Sequence, residues 1–175
     1  MVVAPNADVD VTSSVIPAVT QITLFPRSLD DVFIAEPIYR IYISPIECTP
    51  SFHTRFKTTN RSQYDHVRSV LPMNISGDLL CEALVVNEKG EIMEGSFTTP
   101  YFHRDGAWVT PTEASGGNLG VTRRWALEQG LCKEGLVNKI SFQRRIPGEK
   151  IILSNGARGF GWGRIEPLEK SWHYE

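Results

Sequence analysis

Lys57 stands in the run Phe56-Lys57-Thr58-Thr59-Asn60-Arg61, just ahead of a segment with helical periodicity. A lysine so placed can act as a nucleophile, because an ε-amine drawn out of water loses its charge more easily and then forms Schiff bases with carbonyls. The competing reading is a solvated loop lysine, the usual fate of this residue. Glu94 lies in Glu91-Ile92-Met93-Glu94-Gly95-Ser96. A carboxylate on a hairpin strand can hold the protonated nitrogen of a heterocycle, although it can equally be a plain surface charge. The third stretch, Gly116-Gly117-Asn118-Leu119-Gly120-Val121-Thr122-Arg123, places glycines before a helix start. Free N–H groups and the positive end of the helix dipole would suit a phosphate there. The full P-loop and dinucleotide fingerprints are absent, and many such loops bind nothing. An imine-forming lysine, a carboxylate for a ring nitrogen and a nest for a phosphate are together the parts of a pyridoxal-phosphate site.

The elements that must position these groups follow from the pattern of the chain. Its 175 residues suit one domain, or one domain plus a fragment, and 41% of them are hydrophobic, an ordinary globular balance. Lys plus Arg is 18 against 20 Asp plus Glu, so no basic excess exists to grip nucleic acid. No apolar run approaches the roughly 20 residues that span a bilayer, and the N-terminus lacks the pattern of a secretory signal. Cys48, Cys81 and Cys132 are widely spaced and read as reduced thiols of a cytoplasmic protein. The four histidines are scattered too, which predicts no metal site.

Residues 1–18 read as a loose leader. Strands are expected over 20–25 and 38–43, the second closed by Pro45 and Pro50. A helix is expected over 59–70, with Ser62 as N-cap and Pro72 as its stop. Strand 83–86, a tight turn at 87–90, and strands 95–103 and 107–110 around Asp105-Gly106 would make a meander. A helix follows at 121–130, and 151–153 is one more short strand. It runs into the glycine-rich stretch 154–163, where backbone matters more than side chains. The fold class expected is α+β, rich in antiparallel strands.

The order of these motifs resembles that of the class IV aminotransferase-like enzymes, and of the 4-amino-4-deoxychorismate lyases among them. Phe56-Lys57-Thr58-Thr59-Asn60-Arg61 with Tyr64-Asp65 is similar to their lysine signature, and Glu94-Gly95-Ser96-Phe97-Thr98-Thr99-Pro100-Tyr101-Phe102 to their "TEGS..N.F" strand. Trp108-Val109-Thr110-Pro111 matches their "TP" segment, Leu119-Gly120-Val121-Thr122-Arg123-Arg124 their phosphate turn, and Ser154-Asn155-Gly156-Ala157-Arg158-Gly159 their "TNSLRG" loop. Phe56, Thr99 and Gly156 depart from the histidine, asparagine and hydroxyl residue found at those places in many members.

The resemblance implies the D-amino-acid aminotransferase-like fold (fold type IV of the pyridoxal-phosphate enzymes). Residues 51–175 would be its large cofactor-binding domain, and 1–50 a leader with a remnant of the small N-terminal domain, shortened relative to the family. It further implies pyridoxal 5′-phosphate as cofactor, carried by Lys57, with Glu94 at the ring nitrogen. Val121, Thr122, Ser154, Asn155 and Gly156 would surround the phosphate, and Arg158 and Thr99 would contact substrate. A structural ion pair is the competing reading for Arg158. The implied activity is a lyase that converts 4-amino-4-deoxychorismate to p-aminobenzoate and pyruvate for folate synthesis, in a cytoplasmic homodimer with no nucleic-acid or membrane partner. The alternatives are a branched-chain or D-amino-acid aminotransferase of the same family, or an inactive truncated paralogue.

Overall fold

The computed structural model describes residues 24–32, 39–56, 58–72, 80–143 and 148–168. From the first strand, β1 (Tyr39–Glu47), the chain passes through two helices, α1 (Phe52–Arg55) and α2 (Ser62–Ser69), into β2 (Cys81–Val86). β1 and β2 run parallel, with Arg40 opposite Cys81 and Ile43 opposite Leu84. Parallel neighbours need a crossover, and α1 and α2 belong to it. β2 then turns into antiparallel β3 (Ile92–Gly95). A second hairpin joins β4 (Thr99–Arg104) to β5 (Ala107–Pro111) around Asp105 and Gly106, whose φ values of 49° and 76° fit a two-residue turn. α3 (Val121–Glu128), β6 (Lys133–Gly135) and α4 (Ile140–Gln143) follow, and a last hairpin pairs β7 (Lys150–Asn155) with β8 (Gly159–Ile165).

The strands form one mixed sheet in the order β3-β2-β1-β8-β7-β4-β5-β6, curled into a half-barrel with few helices. Four pairings are antiparallel; β1 with β2, β1 with β8, and β5 with β6 are parallel. The α+β class is therefore as expected, but the meander is not. β4 pairs with β7 rather than with β3, so β1, β8 and β7 separate the two hairpins. In the 154–163 stretch side chains matter as well as backbone, for it is the turn and far strand of a hairpin: Phe160 and Trp162 are buried core residues of β8.

Burial explains the departures in β1. Ile41 joins one apolar cluster with Leu84, Ile92, Phe102, Ile151 and Leu153, while Tyr42 joins another with Tyr64, Val67, Ala83 and Met93 under α2. A third cluster, with Tyr101, Ala126, Ile152, Phe160 and Trp162, lies under α3. One face of the sheet is thus shared, and the other carries α2 towards one edge and α3 towards the other. A strand covered on both faces loses simple alternation. Pro45 lies inside β1 rather than ending it, at the point where the register with β2 shifts between Ile43 and Glu47, so its missing N–H breaks no regular rung. The helical residue expected as a cap, Ser62, is the first residue of α2; Arg61 occupies the N-cap.

The boundary expected at residue 50 does not divide this sheet, because β1 precedes it and is an interior strand between β2 and β8. The leader at 1–18 and most of the strand expected at 20–25 lie outside the described residues, and Leu24 and Phe25 form a bend. Among the described residues no helix is long and apolar enough to cross a membrane.

Packing between β1 and β8 relies on one glycine. A Cβ added at Gly163 would sit 2.5 Å from the Tyr39 carbonyl oxygen and 2.6 Å from Tyr39 Cβ, so only hydrogen allows β1 to approach. Gly163→Ala is expected to destabilise the chain by about 2 kcal/mol or more, because backbone rather than a flexible tip must move. Urea unfolding monitored by tryptophan fluorescence measures this loss.

Candidate active site

The sheet face between α2 and α3 holds a cavity of about 740 Å³. Its wall is built from His53–Phe56 and the start of α2, the corner between β3 and β4, the loop and first turn of α3, and the turn between β7 and β8. Seven of the residues singled out in the sequence meet here: Glu94, Thr99, Val121, Thr122, Ser154, Asn155 and Gly156. Lys57 lies outside the described residues, although its sequence neighbours Phe56 and Thr58 both line the cavity. Arg158 does not line it. The backbone N–H of Arg158 donates to Asn155 Oδ1 at 2.7 Å, and its Nη1 donates to Tyr39 Oη at 3.4 Å, so it belongs to the turn and to β1.

Glu94 is no surface charge; it is 8% exposed. Tyr64 of α2 donates its phenol hydrogen to Glu94 Oε1 at 2.6 Å, and the backbone N–H of Asn118 also donates to the carboxylate. The loop that brings Asn118 there passes so close to β3 that a Cβ on Gly117 would lie 2.4 Å from the Met93 carbonyl oxygen. Burial pushes the Glu94 carboxyl up to about 7, and nearby Glu82 adds to the rise. The two hydrogen bonds and the Arg61 charge oppose it. Such a carboxyl gains sharply from a cationic partner in the cavity.

The corner carrying Glu94 is held from behind by Glu82, an acid in the apolar strand Cys-Glu-Ala-Leu-Val-Val that is 1% exposed. Its Oε1 accepts from Ser96 Oγ at 2.6 Å and from the Ala83 N–H at 2.7 Å. Its Oε2 accepts from Thr98 Oγ1 at 2.7 Å and from the Phe97 N–H at 3.2 Å. Arg61 donates to the Ser96 carbonyl at 2.7 Å and stacks over the rings of Tyr64 and Phe97, both at 4.8 Å. Arg68 covers the Phe97 ring at 4.7 Å. The sequence reading missed this support, for which the lone acid in an apolar strand is the available signal.

At the other end of the cavity α3 begins after Gly120, which offers no side-chain cap. The first N–H bonded inside the helix is that of Arg124, to the Gly120 carbonyl, so those of Val121, Thr122 and Arg123 have no helical acceptor. Ser154 donates to Thr122 Oγ1 at 2.9 Å, and the wholly buried Tyr101 is bonded to Ser154 Oγ at 2.9 Å. Asn155 uses its carbonyl on the N–H groups of Ala157 and Arg158 and so shapes the turn. A Cβ on Gly156 would meet open space. The site thus has a buried carboxyl at one pole, a cluster of N–H and hydroxyl donors at the other, and cationic Arg61 and Arg124 in its wall.

The half-barrel carries a cavity whose two ends differ in charge and in hydrogen-bonding character. The sequence pattern of the amino-transferase class IV family matches residues 17–161, and the chain belongs to this family of pyridoxal-phosphate-dependent enzymes. It is 31% identical over 140 residues to the aminodeoxychorismate lyase of Saccharomyces cerevisiae, a match that covers 72% of this chain and 37% of that protein. Among solved structures it is similar to an amino-acid aminotransferase of provisional assignment from Mesorhizobium loti, with a TM-score of 0.62, 25% identity, and coverage of 73% of this chain and 59% of that one. It also shares the fold of the T.th. branched-chain amino acid aminotransferase, solved with N-(5′-phosphopyridoxyl)-L-glutamate, at TM-score 0.52 and 20% identity over 71% of this chain and 42% of that one. The chain spans 37% and 43% of the length of the curated relatives it matches.

The raised Glu94 pKa has a consequence for stability. With a folded value of about 7 against an ordinary 4.5, the neutral acid stabilises the ligand-free fold fully below pH 4.5, and that contribution is lost as pH rises through 7. Glu94→Gln removes this dependence. The difference in unfolding free energy between the two chains, followed from pH 4.5 to 7.5, is expected to shift in favour of the glutamine variant by on the order of 3 kcal/mol.

Proposed function

We propose that this chain is the cofactor-binding part of an aminodeoxychorismate lyase, which converts 4-amino-4-deoxychorismate to p-aminobenzoate and pyruvate with pyridoxal 5′-phosphate, a step toward folate. The observation that carries this reading is the pairing of a buried carboxyl with a cluster of N–H and hydroxyl donors across one cavity, beneath the residues that flank Lys57. The identity to the yeast lyase supports the activity, and the phosphopyridoxyl ligand of the similar branched-chain aminotransferase supports the cofactor. The cofactor-binding part in this reading takes in 51–175 together with β1.

The residues present fit the cofactor. Glu94 would hold the protonated ring nitrogen, with the Tyr64 phenol and the Asn118 amide fixing the carboxylate. The N–H groups of Val121 and Thr122, the Thr122 hydroxyl and the turn at Ser154, Asn155 and Gly156 would surround the phosphate; the open space at Gly156 leaves room for it. Bound there, pyridoxal phosphate supplies an electron sink for the bonds broken at the substrate. Lys57 would carry the cofactor and move protons at the reacting carbons. Thr99 remains the candidate for substrate contact. Arg158 gives way to Arg61 and Arg124, the guanidinium groups in the cavity wall, as partners for the substrate carboxylates.

The same reading includes a homodimer in the cytoplasm. The exposed Phe52, Phe97 and Val121 support an interface, and the three free thiols suit a reducing compartment. The fold shared with branched-chain aminotransferases favours a second reading, transamination.

The deciding experiment is an absorbance titration of the purified chain with pyridoxal phosphate, beside Lys57→Ala. The expected result is a visible band that borohydride fixes covalently to Lys57 and that the variant lacks, followed by pyruvate release from aminodeoxychorismate. A new amino acid formed from a keto acid instead of pyruvate would select the aminotransferase. A spectrum without the band at millimolar cofactor would reject both and leave an inactive paralogue.

A further inference from the structure

The proposed cofactor reading assigns Thr122 and Ser154 to the phosphate pole but gives no role to Tyr101, whose phenol is buried completely behind them. Ser154, also fully buried, has a single hydroxyl hydrogen, and it goes to Thr122 Oγ1. The 2.9 Å contact between Tyr101 Oη and Ser154 Oγ must then be donated by the phenol. The chain of bonds therefore runs in one direction, from Tyr101 through Ser154 to Thr122. Run the other way, the phenol hydrogen would be sealed in the core with no acceptor among the described residues, which is costly for a buried donor. With a lone pair of Thr122 filled from behind, the hydrogen of its hydroxyl is left for an acceptor in the cavity, beside the uncapped N–H groups of α3. A phosphate dianion offers acceptors only.

We infer that Tyr101 is a positioning residue that fixes Thr122 as a donor through Ser154, and so makes this pole selective for a phosphorylated ligand over its unphosphorylated counterpart. This rests on the cofactor reading above. Tyr101 touches neither ligand nor reacting atoms; it sets the polarity of a hydroxyl that does. The deletion of one oxygen by Tyr101→Phe keeps the ring and its packing against Phe160, at a centroid distance of 5.8 Å. It frees Ser154 and Thr122 to point either way.

The test compares equilibrium binding of pyridoxal phosphate and of pyridoxal to the full chain, to Tyr101→Phe and to Ser154→Ala, each checked for folding by thermal unfolding. The expected result is that both variants bind pyridoxal phosphate about 3- to 10-fold more weakly while their affinity for pyridoxal is unchanged, the size expected for one oriented hydrogen bond. The 31P resonance of the bound phosphate should shift between wild type and Tyr101→Phe. Equal weakening for both ligands would make Tyr101 merely structural and overturn the inference, as would unchanged affinity for both. Failure of the wild-type chain to bind either ligand would overturn the cofactor reading itself, and the relay's role with it.

Discussion

An acid with almost no contact with water holds this structure's most consequential corner. Glu82 accepts four hydrogen bonds, three of them from consecutive residues 96–98, where the chain leaves β3 for β4. Burying a carboxylate is costly unless its lone pairs are filled, so the corner and the acid stabilise one another. The chain can leave the β2–β3 edge and rejoin the sheet beside β7 only through this corner. Glu94 lies just before it and Thr99 just after it. The Phe97 ring, clasped by Arg61 and Arg68, ties α2 to the same point.

From that corner the cavity has two poles with different supports. The carboxyl pole rests on α2 and the loop at Asn118, and its acid is held by one phenol and one amide. The donor pole rests on α3 and β7, and its hydroxyls are held by another phenol. In each case a buried tyrosine fixes a smaller polar group of the cavity wall, Tyr64 from within the wall and Tyr101 from behind it. Rigid apolar packing is thereby converted into defined hydrogen-bond polarity, which a flexible surface residue does not provide.

Much of this was legible in the residues. Short-range signals served well: Asp105-Gly106 made a hairpin, Gly120 opened α3, and the motifs at 94–99, 119–122 and 154–156 converged as their order implied. What failed was long-range. Nothing local in the two hairpins shows that three strands separate them, since that depends on β1, β8 and β7. Gly-rich β8 hid its strand, because glycine reads locally as a breaker whereas Gly163 needs hydrogen rather than bulk where β1 crosses close. Arg158, the ligand arginine of the motif, does not line the cavity; its backbone bonds to Asn155 and its guanidinium contacts Tyr39. Tyr101 and Glu82 stood among apolar neighbours and gave no periodic signal of their roles.

The place of β1 bears on the order in which the fold can be assembled during synthesis. Tyr39 pairs with Gly163, so the earliest described strand must wait for more than a hundred further residues before one of its two edges is filled. The two hairpins and their helices can form while β1 has only β2 for company, but the sheet remains in two halves until β8 arrives. Contacts so distant in sequence slow folding and leave strand edges open meanwhile. The nascent chain therefore carries a bare parallel edge on β1 for as long as the residues between Tyr39 and Gly163 take to be made, an edge open to pairing with other chains in the meantime.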